Sequence, residues 1–148
     1  MIKNVLTVLA LLFCSAPAFS QINPSDILIK FFDTYKLKNS DEAVDYLFTN
    51  TGYADDMAEG IEDVKRGLKK QGSTLGLYYG RDSLSMRQAG PRFLKYTYLV
   101  RHARQPMLFH FTFYKPENRW QVYSFSFSTN VSEDLDEASK LYRLKENY

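Results

Sequence analysis

Among 148 residues the chain has one cysteine, one tryptophan and two histidines. A single thiol forms no internal disulfide and no thiolate cage for zinc. Seven glycines and five prolines are scattered, so there is no collagen-like repeat, Gly/Pro-rich linker or low-complexity run. An excess of one charge is missing too. Nineteen Lys and Arg against seventeen Asp and Glu give +2, without the strongly basic footprint of a nucleic-acid or anionic-membrane binder. Beyond residue 20 no apolar run is long enough to span a bilayer. What remains is 45% apolar and 16% aromatic, which places the chain among single globular domains rather than disordered ones.

Residues 1–20 read as an address. Lys3 supplies a basic start, Val5 to Phe13 an apolar run, and Ser15-Ala16-Pro17-Ala18-Phe19-Ser20 a small-residue stretch before a polar segment. These are the parts of a secretory signal peptide. Ala18 and Ser20 lie three and one residues before Gln21, so cleavage is expected after Ser20, with a cut after Ala18 as the near alternative. A buried N-terminal helix is the competing structural reading. Bulky Phe13 before Cys14 argues against an acylated lipoprotein. Cleavage removes Cys14, leaving a secreted or periplasmic domain, residues 21–148, with no thiol. Such a domain stands on its hydrophobic core alone.

Asn23-Pro24-Ser25-Asp26 has an Asn cap, proline at the first helical position and an acid in the first turn. Leu28, Phe31, Phe32 and Tyr35 follow at helical spacing. Asn39 opens a second, short helix with Val44, Leu47 and Phe48. A third is expected from Ala54 to Lys70, with Met57, Ile61, Val64 and Leu68 on one stripe and Gln71-Gly72 ending it. Its acids precede its bases, which suits the helix dipole, and Glu62 with Arg66 forms a four-apart pair.

From Leu75 the pattern alternates. Extended segments are expected over 75–88 (interrupted at Gly80), 92–102, 107–114 and 119–129, with turns at 89–91, 103–106 and 115–118. Closing both four-residue loops places Tyr98 opposite Phe111, Tyr96 opposite Phe113, Phe111 opposite Val122 and Phe113 opposite Trp120. One face then collects Leu94, Tyr96, Tyr98, Val100, Met107, Phe109, Phe111, Phe113, Trp120 and Val122, which the three helices must cover. The other face carries Leu99, Leu108, His110, Tyr123, Phe125 and Phe127. A last amphipathic helix, about 132–145, with Leu135, Ala138, Leu141 and Tyr142, would cover part of it. The fold class is therefore α+β, helices on an antiparallel meander.

Two or three helices followed by a long meander ending in Arg119-Trp120-Gln121-Val122-Tyr123-Ser124-Phe125 resemble the nuclear transport factor 2-like superfamily. The resemblance covers most of residues 21–148 and is nearest to its exported bacterial domains of unknown role. It implies a cystatin-like cone, a strongly bent sheet wrapped around a helix. The superfamily includes isomerases, dehydratases, cyclases and transport factors, so the resemblance raises the expectation of a pocket without choosing a function.

The chemical candidates are few. His102 and His110 fall on opposite faces and are not expected to share a metal, and neither a metal nor a cofactor is expected. Asp55, Asp56 and Glu59 suit a solvated helix start better than a cation site. There is no Gly-x-Ser-x-Gly elbow and no Gly-rich phosphate loop. Ser124, Ser126 and Ser128 are expected to thin the inner face of the last strand, and Ser132 of Asn130-Val131-Ser132 to cap a helix rather than direct glycosylation. Arg101-His102-Ala103-Arg104 reads as a charged hairpin tip, with an anionic partner as the alternative.

An isomerase-like site needs a carboxylate base beside a hydroxyl. Tyr96 and Tyr98 offer the hydroxyl, but only Asp82 and the solvated helix acids offer a base. The reading is thus a non-enzymatic exported domain that binds a small apolar ligand or a protein partner. Tyr78, Tyr96, Tyr98, Phe111, Phe113 and Trp120 are the pocket candidates, with plain core filling as their competing role. Leu108, His110, Tyr123, Phe125 and Phe127 are candidates for an interface, including a homodimer. An isomerase- or dehydratase-like enzyme and a structural interaction module are the alternatives.

Overall fold

A computed structural model of the chain describes residues 23–132 together with Leu135, Asp136, Ser139 and Lys140. The expected signal peptide, and Ala138, Leu141 and Tyr142 of the expected last helix, lie outside the described residues. Among these residues the architecture is α+β: three helices followed by an open four-stranded antiparallel meander. Among the described residues no helix is long and apolar enough to cross a membrane.

Helix α1 spans Pro24–Leu37, and the Asn23 side chain accepts a hydrogen bond from the Ser25 amide at 3.1 Å. Ile27, Leu28, Phe31 and Phe32 are its buried stripe. Helix α2, Ser40–Phe48, starts with a two-way cap: Asn39 Oδ1 accepts from the Glu42 amide at 2.8 Å, and Asn39 Nδ2 donates to the Glu42 carboxylate at 3.1 Å. Helix α3, Ala58–Leu75, follows a 3-10 turn at Asp55–Met57. It runs past Gly72, where a stop was expected, and ends at Gly76 with φ of 80°. The reason is Leu75, whose side chain is fully buried and anchors one more turn. Lys65 bridges to Asp45 on α2 and to Glu62 at 2.8 Å, and Arg66 pairs with Asp63 rather than with the expected Glu62.

The strands are β1 Tyr78–Gln88, β2 Phe93–His102, β3 Met107–Tyr114 and β4 Gln121–Ser128, each paired with the next. The expected register is corrected by two residues. Tyr98 faces Phe109 and Tyr96 faces Phe111, because Arg101 and His102 pair with β1 and lengthen the β2–β3 loop. A shift of two leaves the faces unchanged. The β3–β4 pair also shifts, with Phe113 opposite Val122, and then carries a bulge: Thr112 faces Ser124 and Phe111 faces Phe125. One extra residue reverses parity beyond it. Phe125 is therefore buried in the core and Phe127 packs against it, whereas both were expected on the outer face. Ser124, Ser126 and Ser128 correspondingly lie opposite Thr112, His110 and Leu108 on the outer face, not the inner one.

The core lies between α1 and the inner face of β2–β4. Phe31 meets the rings of Phe109, Phe111 and Phe125 at 6.0, 5.0 and 5.4 Å, and Phe32 meets Tyr98 at 5.0 Å. The Asn50 carbonyl accepts from the Val122 amide at 3.1 Å and so ties the chain after α2 to the edge of β4. Beyond β4, helical backbone occurs at Ser132, Leu135, Asp136, Ser139 and Lys140, and the Leu135 amide donates to Val131 at 3.0 Å.

Candidate functional site

The helical stripe of α1 ends at Tyr35, four residues after Phe31 and three after Phe32, so its ring points at the sheet. It arrives where β1 begins and β2 ends. Tyr35 Oη lies 3.3 Å from His102 Nε2, and the Tyr78 ring meets Tyr35 at 5.5 Å and His102 at 6.0 Å. Burial pushes the Tyr35 hydroxyl up to about 12, with Tyr78 adding to the effect. Burial likewise pushes the His102 imidazole down, against a weaker raising interaction with the Val100 backbone. Among the described residues His102 Nδ1 is buried with no hydrogen-bond partner. The corner therefore holds a neutral phenol and a neutral imidazole at ordinary pH, with one ring nitrogen unsatisfied.

One step along β1 lies Arg81, paired with Val100 and so aimed at the core side. Its Cζ sits 4.2 Å from the centre of the Phe32 ring. Tyr98, packed edge-on to Phe32 at 5.0 Å, completes the group. Burial raises the Tyr98 hydroxyl above its usual range, and the Arg81 charge partly opposes that rise. Tyr78, Arg81 and Tyr98 all remain partly exposed at the β1 border of the core.

The other pocket candidates are placed deeper. Phe111 and Phe113 are fully buried; Phe111 stacks on Phe125 at 4.9 Å, and Phe113 meets the nearly buried Tyr96 at 5.9 Å. Trp120 is half-buried below Lys115 Nζ at 5.7 Å. The six candidates thus divide into a core set and a border pair, Tyr78 and Tyr98. Tyr35, Phe32 and Arg81 join the group with no functional signal of their own in the sequence. The stripe of α1 marks the first two as inward. The side taken by Arg81 is not readable, because β1 shifts register at Tyr78/Gly80 and at Ser83/Ser85.

The interface candidates do not form one patch. Leu108 is fully buried on the outer face, His110 Nδ1 lies 3.2 Å from the Thr97 hydroxyl beside it, and Phe125 and Phe127 belong to the core side. Tyr123 is 51% exposed and meets Phe93, itself next to Tyr114, at 5.6 Å.

The basic tract is absorbed by structure. Arg101 Nε bonds Asp82 at 2.9 Å, His102 is buried, and Arg104 Nη1 donates to the Thr74 carbonyl at 3.1 Å, near the end of α3. Asp82 is thereby paired on the outer face, opposite Leu99. Among the described residues no three His, Cys, Asp or Glu side chains cluster as a metal site. No family model, curated protein or solved structure matches the chain.

Proposed function

We propose that the chain is an exported, non-enzymatic domain that binds a small apolar ligand at the β1 border of its core. One observation carries this reading: the aromatic core is closed around Phe111, while Tyr78, Arg81 and Tyr98 stay partly open at its margin beside Phe32. Small-molecule sites are lined mostly by apolar and aromatic side chains with a few polar groups, and this margin has that composition. Binding is favoured over proton transfer because Asp82, the strand carboxylate considered as a base, is held by Arg101 on the other face. Export is supported by the composition of residues 1–20. Membership of the nuclear transport factor 2-like superfamily, with its cone-shaped sheet, belongs to the same proposal and is supported by helices preceding a meander.

Mass spectrometry of small molecules released from natively purified exported protein tests the reading. A low-mass apolar compound in near-stoichiometric amount is expected. Protein that carries none, and whose melting no apolar compound raises, overturns it. A second reading, association through the outer face, is favoured by the exposed Tyr114 and Tyr123, which flank the half-buried Phe93. Light scattering of wild type against Tyr123→Glu separates a dimer from a monomer.

A further inference from the structure

The arginines near the β1 border differ in one respect. Arg92 Nη1 donates to the Lys115, Pro116 and Glu117 carbonyls, Arg101 to Asp82, and Arg104 to the Thr74 carbonyl. Among the described residues Arg81 has no acceptor, although it is the one that points to the core side, opposite the fully buried Val100. A partly buried guanidinium is costly unless its donors are met. Phe32 supports one face of the group at 4.2 Å, but a ring face meets the π surface of guanidinium and leaves its in-plane N–H fork unused.

We infer that Arg81 and Tyr98 form the polar end of the proposed ligand site, and that its ligand is a small organic carboxylate with an apolar tail. The inference rests on the ligand-binding reading above. The guanidinium fork matches the two oxygens of a carboxylate. Tyr98, kept protonated by its surroundings, donates its O–H to the same anion. One guanidinium and one hydroxyl balance a single negative charge, whereas a phosphate dianion would leave charge unpaired. Phe32, 1% exposed, lies beneath the guanidinium as its support, and the tail has its apolar route over Tyr98 and along β1 toward Met86, which is 61% exposed and paired with Tyr96.

Calorimetric titration of the exported protein with octanoate, and with octanol as the neutral match, tests this. Octanoate is expected to bind with one-to-one stoichiometry, about tenfold or more tighter than octanol. Arg81→Gln should remove that advantage by bringing octanoate down to the affinity of octanol for the same variant, and Tyr98→Phe should reduce octanoate affinity by a smaller factor. Should Arg81→Gln fail to fold, Tyr98→Phe decides, since unchanged octanoate affinity in that variant overturns the inference. Equal binding of octanoate and octanol to wild type overturns the carboxylate assignment and leaves the ligand-binding reading standing. Binding of neither overturns both.

Discussion

Phe111 sits among the core rings, with Phe31 at 5.0 Å, Phe32 at 5.7 Å, Tyr98 at 6.1 Å and Phe125 at 4.9 Å. Its ring is fully buried, so Phe111→Ala removes that burial and leaves a cavity whose rigid aromatic walls collapse poorly. A loss of about 3–5 kcal/mol in urea unfolding is expected. His102 sets a different residue-scale effect. Its pKa is held below the ordinary 6.5 by burial, so the unfolded chain takes up the proton first as pH falls. Its contribution is therefore complete above about pH 6.5 and declines as pH drops from there toward the depressed native value. Unfolding free energies at pH 8 and pH 5 should differ by less in His102→Leu than in wild type; an equal difference would place the pH dependence elsewhere. Tyr35 acts at the alkaline end with the opposite sign. Its pKa of about 12 in the fold against an ordinary 10.0 preserves stability below pH 10 and loses it as pH rises from 10 to 12.

Of the three glycines of helix α3, Gly67 and Gly72 look alike in sequence and differ in packing. A Cβ on Gly72 would meet nothing within 4 Å, whereas a Cβ on Gly67 would come 2.7 Å from Cζ of Phe127. Helix propensity alone favours alanine at both by about 0.5–1 kcal/mol. Gly72→Ala is expected to raise the melting temperature, since the helix continues through it to Leu75. Had the helix stopped there in a left-handed cap, the same change would be destabilising. Gly67→Ala is expected to lower the melting temperature, because the ring it displaces is packed against the core. The β4 bulge makes its own prediction. Phe125→Glu puts a carboxylate into the core and should cost more than about 4 kcal/mol or abolish folding. Tyr123→Glu, two residues earlier on the exposed side, should stay within about 0.5 kcal/mol. Equal tolerance at both positions would mean an unbulged ladder.

For the molecule as a whole, the helices and sheet close one aromatic core, and the border of β1 is its least covered margin. Neither half stands alone: α1 buries its stripe on the sheet, and the Asn50 carbonyl, the Thr74 carbonyl and the Leu75 carbonyl each tie a loop or strand edge to the helical layer. Cleaved as its first twenty residues suggest, the protein is expected to begin at Gln21 without lipid on Cys14, as N-terminal sequencing would read. Because residues 21–148 contain no cysteine, its melting temperature should be unchanged by reductant. An acylated Cys14 at the start would make it a tethered lipoprotein instead.

Much of this architecture is legible in the sequence, for local reasons. Caps at Asn23 and Asn39, the stripes of the three helices and the alternation of β2 and β3 are written in spacings of two, three and four residues, and these determined the element order, the α+β class and the inward side of Leu94, Tyr96, Phe109, Phe111 and Phe113. What the chain's own periodicity does not contain is the offset between strands. That offset depends on which neighbour wins a residue's hydrogen bonds. Arg101 and His102 went to β1 rather than β3, and one extra residue at Tyr123/Ser124 turned Phe125 and Phe127 inward. The meeting of Tyr35, Tyr78 and His102, and the placing of Arg81 over Phe32 beside Tyr98, follow from those offsets and from the angle at which α1 crosses the sheet. They are long-range choices between competing pairings, and only the tertiary structure decided them.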